Sequence, residues 1–408
     1  MTNTAILAAS ALLVFAYLLD VFGRRTKLPP VVLLIAAGMV ARQVMDRMGL
    51  AVGWVDPLVP LIGTVGLILI VLEGALELSL RRDRIRLVTR ASLCALGGFL
   101  ACAAVLTVVF ERALGLPFAA ATLAAITFAV ISSAVAIPNS VGLAAATREF
   151  VIYESALSDI IGVLAFYAWL GAQGSLQTFA MNLFGGGFVS LVAAVIAALG
   201  LMYLINRVEG HVRFLPLLAG LILLYAIGKA LHLSPLVLVL VCGLVLNNPH
   251  LLQRVPRLGA LCKAGYDDTL REFKGLVAEL TFATKSFFFL MLGYWTDIAH
   301  MTDWRAWAVM LAALGVIYPG RLAILSAVRQ PDTARLLWIA PRGLITVLLF
   351  LTAAETGTLT GFPFGAVMLV VLVTASATAF AHHRPASTTA TVESAAIASD
   401  ISSPADRP

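Results

Sequence analysis

Residues 128–142 read FAVISSAVAIPNSVG, an apolar stretch that Ser132, Ser133 and Pro138 interrupt. Proline lacks the backbone N–H that a helix uses, so the pattern predicts a helix that breaks within this stretch. Serine hydroxyls beside a break add oxygen atoms to the backbone carbonyls that the break leaves free. A packing kink is the simpler interpretation of a single proline, and it has to be weighed against a second break elsewhere in the chain.

A second break is predicted in residues 338–349, WIAPRGLITVLL, where Pro341, Arg342 and Gly343 interrupt another apolar segment. Irregular backbone at membrane depth is tolerated only where protein covers it or where it lines a cavity. Two breaks at matching places in the chain favour two discontinuous helices over two unrelated kinks. In such pairs, free carbonyls and half-helix ends can coordinate a cation.

The composition identifies the class of protein. The chain has 408 residues, of which 61% are hydrophobic and 12% charged, whereas soluble domains carry about 25% charged residues. These values predict a polytopic membrane protein. The net charge of +6 fits the placement of basic loops on one side of a membrane better than nucleic-acid binding. Four scattered cysteines without CxxC spacing predict free thiols, most of them buried: Cys94, Cys102, Cys242 and Cys262.

We predict thirteen membrane-spanning segments, each close to the length that a bilayer requires. They lie at about 4–22, 28–41, 58–80, 91–110, 117–142, 149–171, 179–205, 212–231, 234–247, 276–295, 304–327, 334–356 and 361–382. Together they form a transmembrane domain, residues 1–382, followed by a disordered cytoplasmic tail, residues 383–408. The six segments on either side of the seventh start from opposite faces of the membrane, which is the arrangement of inverted repeats.

The positive-inside rule orients these segments. With the N-terminus outside, cytoplasmic loops and the tail hold 20 of the 28 Lys and Arg residues, whereas the outer loops hold five. We therefore expect a multi-pass protein of the cell membrane with a cytoplasmic C-terminus. Asp20 and Glu279 fall near helix ends, where they are expected to reach water. Seven charged residues lie within segments and are the candidate functional residues: Glu73, Glu77, Glu154, Asp159, Lys285, Arg321 and Arg342.

Residues 153–162, YESALSDIIG, place two of these charges in one apolar segment. At 1.5 Å per residue, Asp159 lies roughly 15 Å deep, near the midplane of the bilayer. Ser155 is four residues earlier on the same face, and Glu154 and Ser158 form a second such pair on the adjoining face. A monovalent cation binds oxygen atoms, and a buried carboxylate can hold either a cation or a proton. This stretch therefore predicts the minimum equipment for cation–proton exchange.

The remaining buried charges suggest partners. Glu154 and Arg321 are expected at matching depths, roughly 7.5 and 9 Å from the cytoplasmic side, and each is costly alone, so an ion pair is favoured over other partners or water. Arg342, beside the second break, can offset the negative ends of half-helices. Lys285 either reaches the interface or pairs with Glu73, and the sequence does not choose between these.

In these motifs the chain resembles the cation/proton antiporter superfamily, and in particular its sodium/proton exchangers. The resemblance covers nearly all of residues 5–382 and rests on GRRTKLPPVVLLIAAGMV, LILIVLEGALEL, ESALSD, KSFFFLMLGYWTD and GRLAIL followed by APRGLITVLL. It implies an all-α fold of about 13 transmembrane helices in inverted repeats, with two crossed discontinuous helices, that forms a homodimer. It also implies that Asp159 binds the cation and the proton, that Glu154 and Arg321 form a structural ion pair, and that Arg342 is the arginine of the second crossed helix.

Two positions depart from the family pattern. Ser158 precedes Asp159, where electrogenic members carry a second aspartate and electroneutral members an asparagine. Ser132, Ser133 and Ala134 stand where electroneutral exchangers usually read Thr-Asp-Pro, and the serine pair looks like the potassium-efflux branch. Because a single carboxylate lies at site depth in this segment, we expect electroneutral exchange.

The leading hypothesis is an antiporter that exchanges Na⁺ for H⁺. Such a protein needs no cofactor, resident metal or catalytic residue, and its partners are the bilayer and a second copy of the chain. The candidate cation and proton ligands are Ser132, Ser133, Ser155, Ser158 and Asp159. Glu73 and Lys285 are possible accessory residues. The alternatives are a K⁺/H⁺ antiporter of the potassium-efflux type, a non-transporting sensor that keeps the fold, and a cation channel. An intramembrane hydrolase is disfavoured, because only one aspartate is deep and the histidines lie near helix ends.

Overall fold

A computed structural model describes residues 2–26, 28–48, 58–78, 85–207, 214–231, 233, 235–252, 266–359 and 361–383. Every regular element within these ranges is a helix. The predicted tail, apart from its first residue, and Cys262 lie outside the described residues. Cys94, Cys102 and Cys242 are free, buried thiols, as the sequence predicted.

The α-helices of the described part are numbered in chain order. They are α1 Thr2–Thr26, α2 Pro30–Arg47, α3 Leu58–Glu77, α4 Ile85–Leu114, α5 Phe118–Ala129, α6 Ser133–Asn139, α7 Ala145–Ala172, α8 Leu176–Met181, α9 Gly187–Arg207, α10 Phe214–Ala230, α11 Pro235–Asn247, α12 Pro249–Leu252, α13 Tyr266–Trp295, α14 Ile298–Thr302, α15 Trp304–Ala327, α16 Thr333–Leu336, α17 Leu344–Glu355, α18 Phe364–Ala377 and α19 Ala379–His383. A π-helical turn, Asn182–Gly186, joins α8 to α9.

Each of the thirteen predicted segments overlaps at least one of these helices, so the prediction of an all-α polytopic membrane protein is confirmed. Within the described residues, seven stretches are long and apolar enough to cross a membrane, and four shorter apolar helices accompany them. The observed helix ends differ most from the predicted segment ends where the sequence becomes polar. For example, α13 begins at Tyr266, ten residues before the predicted segment, because its first turns carry charged residues that hydropathy assigns to water.

The chain divides into two compact units. The first unit comprises residues 1–53, 86–158 and 289–408. In it, α15 packs along α18, and α17 packs against α5. Gly38 on α2 and Gly293 at the end of α13 let these two helices touch through their backbones, since a Cβ at either position would collide with a carbonyl oxygen of the other helix.

The second unit comprises residues 54–85 and 159–288. Its centre is α11, which packs against α3, α9 and α10. Most residues of α11 are buried, which is why its sequence reads as an apolar run without a polar face. A Cβ at Gly243 would lie 2.7 Å from the Cβ of Ala75, so glycine permits the close approach of α11 to α3.

Two charged residues expected to reach water behave differently. Glu279 is exposed on α13, as expected. Asp20 is 8% exposed, so the expectation for Asp20 is wrong. The physical reason is that Asp20 lies on the face of α1 that also carries the buried residues Ala16 and Gly23.

Candidate functional site

The first chain break separates α5 from α6 in the first unit. Helix α5 ends at Ala129, and the next residues are extended, with φ −73° and ψ 132° at Val130 and φ −77° and ψ 117° at Ser132. The predicted break is therefore present, but it precedes Pro138, which lies inside the last turn of the seven-residue α6. In so short a helix, proline removes one backbone donor without ending the helix earlier.

The second break covers residues 337–343, between α16 and α17. It touches the first break directly, because the backbone N–H of Ser132 donates to the carbonyl oxygen of Pro341 at 2.9 Å. Gly343 lies against the same serine, where an added Cβ would come within 2.7 Å of the Ser132 Oγ. The two extended segments thus cross at backbone distance, and each satisfies groups that the other has lost from its helix.

Helix α7 supports the first break through Ser158. The backbone N–H of Ile131 donates to the Ser158 Oγ at 2.9 Å, and Ser158 is 1% exposed. Asp159 follows in the same helix and is also buried. One turn earlier, the Ser155 hydroxyl donates to the carbonyl oxygen of Val151 at 2.7 Å, so its oxygen lone pairs remain available as acceptors.

The two serines of the first break are buried as well. Ser132 is fully buried, and its hydroxyl has no hydrogen-bond partner among the described residues. Ser133 is the first residue of α6 and is 4% exposed. An orphaned hydroxyl at a crossing of two chain breaks is an oxygen that an ion or a water molecule can use.

Arg342 lies within the second break and is 2% exposed. Its Nε donates to the carbonyl oxygen of Phe128 at 2.7 Å, and its Nη1 donates to that of Ala340 at 2.7 Å. Phe128 belongs to the last turn of α5, where carbonyls lack helical partners and carry the negative end of the helix dipole. The guanidinium therefore satisfies and neutralises the end of the first half-helix, while its Nη2 lies 3.9 Å from the Cys102 Sγ.

Glu154 and Arg321 meet in a bidentate contact in the first unit. The Arg321 Nη1 and Nη2 each lie 2.9 Å from a carboxylate oxygen of Glu154, and the side chains are 2% and 4% exposed. The Arg321 Nε donates to the carbonyl oxygen of Leu336 at 2.7 Å. Since Leu336 ends α16, this arginine connects α7 and α15 to the chain that leads into the second break.

Glu73 and Lys285 are both in the second unit. Glu73 on α3 and Lys285 on α13 are half-buried, and the lysine exerts an electrostatic attraction on the glutamate. The Lys285 Nζ also lies 6.0 Å from the centre of the Phe282 ring, within range of a cation–π contact. Glu77, one turn after Glu73, is exposed.

Sequence reasoning missed two residues that contact Arg342. The Thr374 hydroxyl on α18 accepts a hydrogen bond from the Arg342 backbone N–H, and Cys102 on α4 faces the guanidinium. Threonine and cysteine are ordinary in apolar helices, so neither residue carries a signal of the kind that a buried charge carries.

Fold and site together define a polytopic membrane protein in which two discontinuous helices cross beside buried charges, the architecture of a secondary transporter. A sequence model described as "Sodium/hydrogen exchanger, transmembrane" matches residues 10–387. The chain therefore belongs to the sodium/hydrogen exchanger family, whose members are transporters.

Solved structures agree with this fold. Two structures of the sodium proton antiporter MjNhaP1 from Methanocaldococcus jannaschii are similar to the chain at 18% identity. The structure at pH 8 superposes with a TM-score of 0.68 and covers 97% of each chain. The electron-microscopy structure superposes with a TM-score of 0.65 and covers 98% of this chain and 97% of the other. No curated protein matches the sequence.

Proposed function

We propose that this cation/proton antiporter exchanges Na⁺ for H⁺ and that Asp159 holds the cation and the proton in turn. The observation that carries the proposal is the buried Asp159 carboxylate, which directly follows the serine whose hydroxyl is bonded to the first chain break. A buried carboxylate is costly unless it is neutralised, and a proton or a monovalent cation neutralises it equally well. Binding of one ion therefore excludes the other, which is the requirement for coupled exchange.

Serine oxygens complete the proposed cation site. Ser155 donates its hydroxyl hydrogen to its own helix, so its oxygen is left to face a cation. Ser158 uses one lone pair for the Ile131 N–H. Ser132 and Ser133 supply hydroxyls at the first break, and the Ser132 hydroxyl is the one without a partner among the described residues. A small cation that loses its water needs several such oxygens in place of it.

The other buried charges have supporting roles in this proposal. Glu154 and Arg321 form a structural ion pair, because their two hydrogen bonds satisfy both partners within the protein. Arg342 offsets the negative end of α5. Glu73 and Lys285 are accessory groups that influence the site by their charge.

The test is cation-driven proton flux in everted membrane vesicles, with Na⁺, Li⁺ and K⁺ compared. The wild-type protein is expected to exchange Na⁺ for protons. Asp159→Asn should insert and fold, since it removes a buried charge, yet it should exchange no cation. Glu279→Gln is the matched control, because it makes the same chemical change at an exposed position. Exchange by the Asp159→Asn protein at a rate comparable to wild type would rule out the assigned role.

A K⁺/H⁺ antiporter is the second candidate, and the serine pair at Ser132 and Ser133 favours it. Without a carboxylate at the first break, the cation meets weaker oxygen ligands, which suit the larger and less hydrated K⁺. The same vesicles decide between the two candidates, because K⁺ would then drive proton flux more strongly than Na⁺. A protein that exchanges none of the three ions would instead support a sensor that keeps the fold.

We further infer that the protein lies in the cell membrane with its N-terminus outside and its C-terminus, including the tail at 383–408, in the cytoplasm. The distribution of basic residues between loops supports this orientation. We also infer a homodimer, which the family resemblance supports. Labelling of single cysteines from either side of the membrane tests the orientation, and the mass of the protein in detergent tests the dimer.

A further inference from the structure

Thr374 lies in α18, and its side chain is fully buried. Its hydroxyl donates to the carbonyl oxygen of Val370 at 2.7 Å, one turn earlier in the same helix. The Thr374 hydroxyl oxygen in turn accepts a hydrogen bond from the backbone N–H of Arg342 at 2.9 Å. The first bond is the usual one for a threonine in an apolar helix, whereas the second reaches from a continuous helix into the second chain break.

The second bond satisfies a group that the break has orphaned. Arg342 lies in the non-helical residues 337–343, so its backbone N–H lacks a helical acceptor. A buried N–H without a partner costs about as much as a lost hydrogen bond, so an acceptor here stabilises this conformation of the break. Because the hydroxyl hydrogen is held by Val370, the oxygen lone pairs point away from α18 and the acceptor is fixed in place.

A hydrogen bond that holds the backbone of Arg342 also sets the position of its Cα atom, from which the side chain extends. From that point the Nε reaches the carbonyl oxygen of Phe128 at the end of α5. The backbone bond and the side-chain bond therefore attach one residue to α18 on one side and to the first half-helix on the other. A shift of the Arg342 backbone would move the positive charge away from the carbonyls that it neutralises.

We propose that Thr374 is a positioning residue of the antiporter: it holds the backbone of Arg342 so that the guanidinium stays on the carbonyl end of α5, where the first chain break begins. The functional half of this inference rests on the proposed cation–proton exchange, whereas the positional half concerns the conformation of the break alone. Each half therefore has its own measurement.

Three variants separate the hydroxyl from the volume of the side chain. Thr374→Val keeps the shape and removes the acceptor, and Thr374→Ser keeps the acceptor. Thr107→Val is the matched control, because Thr107 is buried in α4 and donates to the carbonyl oxygen of Ala103 at 2.8 Å in the same way. Among the residues that the structure describes, Thr107 makes the helical bond only, so its loss reports the general effect of removing a buried hydroxyl.

The first measurement is hydrogen–deuterium exchange of the peptide that contains residues 337–343 in the purified protein. Thr374→Val should speed exchange of this peptide on the order of tenfold, the factor that corresponds to one hydrogen bond. Thr374→Ser and Thr107→Val should leave the peptide as in wild type. If the peptide of the Thr374→Val protein takes up deuterium at the wild-type rate, Thr374 does not hold the break. The proposal is then overturned, whatever the transport measurement gives.

The second measurement is the cation concentration at half-maximal proton flux in vesicles. Thr374→Val should raise it severalfold, Thr374→Ser should restore it, and Thr107→Val should leave it unchanged even if both valine variants lower the melting temperature equally. Equal values for the two valine variants would reduce Thr374 to a structural role and overturn the functional half. A third outcome is faster deuterium uptake by the 337–343 peptide of Thr374→Val while the wild-type protein transports no ion. That result would support the positional half and reject the proposed function.

Discussion

The two members of the Glu154–Arg321 pair respond differently to loss of the partner. A glutamate left alone in the protein interior can take up a proton, whereas an arginine cannot lose one. Glu154→Ala should therefore leave a buried charge that nothing neutralises, which typically costs about 3–5 kcal/mol. We expect a large fall in the melting temperature in detergent and a smaller change in the cation concentration at half-maximal flux.

Two further variants make this prediction specific. Glu154→Gln keeps one acceptor for the Arg321 guanidinium and should lose less stability than Glu154→Ala. Glu279→Ala removes an exposed glutamate and should change the free energy of unfolding by no more than about 0.5 kcal/mol. Normal stability of Glu154→Ala together with a collapse of cation affinity would place Glu154 in the cation site and remove it from the structural role.

The residues that could be found from the sequence are those whose chemistry is costly in an apolar segment. Glu154, Arg321 and Arg342 stand out because a charge within a membrane segment needs a partner. Thr374 and Cys102 could not be identified in this way. A threonine hydroxyl can form its hydrogen bond within its own helix, and a thiol behaves as an apolar group. Their contacts with Arg342 depend on how α4 and α18 pack around the second break, which the sequence pattern does not encode.

The crossing of the two breaks depends on the absence of a side chain at Gly343. A Cβ there would lie 2.7 Å from both the Ser132 Oγ and the Val135 Cγ2. Gly343→Ala should therefore push the breaks apart and cost about 1–3 kcal/mol, the usual range for overpacking a dense interior. The melting temperature and the proton flux should both fall.

Gly315→Ala is the control for this substitution. Gly315 lies within α15, and a Cβ there would meet nothing within 4 Å. Alanine is the better helix former by about 0.5–1 kcal/mol, so this variant should be neutral or more stable. If the two alanine variants behaved alike, the crossing would tolerate a methyl group, and close contact at Gly343 would not constrain the breaks.

The position of the first break is set by hydrogen bonds to other parts of the fold. Pro138 predicted a break in the correct stretch, yet the chain leaves the helix at Val130, where neither proline nor glycine interrupts it. What holds residues 130–132 extended is a pair of distant acceptors, the Ser158 hydroxyl for Ile131 and the Pro341 carbonyl for Ser132. Such acceptors are set by tertiary packing, so local propensity places the break only to within a few residues.

For the whole molecule, hydropathy was sufficient to predict an all-helical membrane protein with about 13 membrane segments, because a bilayer requires stretches of nearly fixed length. Hydropathy failed at helix ends such as Tyr266, where the first turns of α13 are polar and were not assigned to the segment. The boundary between the two compact units is also not marked in the sequence. The unit boundary at Ser158 and Asp159 falls inside α7, where the sequence shows neither a linker nor a change of composition.

The charge moved in each transport cycle follows from how many groups can titrate. Asp159 is the carboxylate of α7 that is proposed to bind the ion, and Glu154 is held by Arg321 in a bidentate contact. A site that binds ions through one carboxylate carries one proton or one monovalent cation, so we expect electroneutral one-for-one exchange. Glu73 and Lys285 are the charged groups that would supply a second charge if the exchange proved electrogenic.

Liposomes with the membrane potential clamped by valinomycin and a K⁺ gradient test this expectation, with Na⁺ as the driving cation. One elementary charge is worth about 2.3 kcal/mol per 100 mV, so an electrogenic cycle would respond strongly to voltage. The exchange rate should stay constant as the potential is stepped. A rate that changes severalfold would contradict one-for-one exchange. In that case Glu73→Gln and Lys285→Gln, measured in the same liposomes, would identify the second group as the one whose loss removes the voltage dependence.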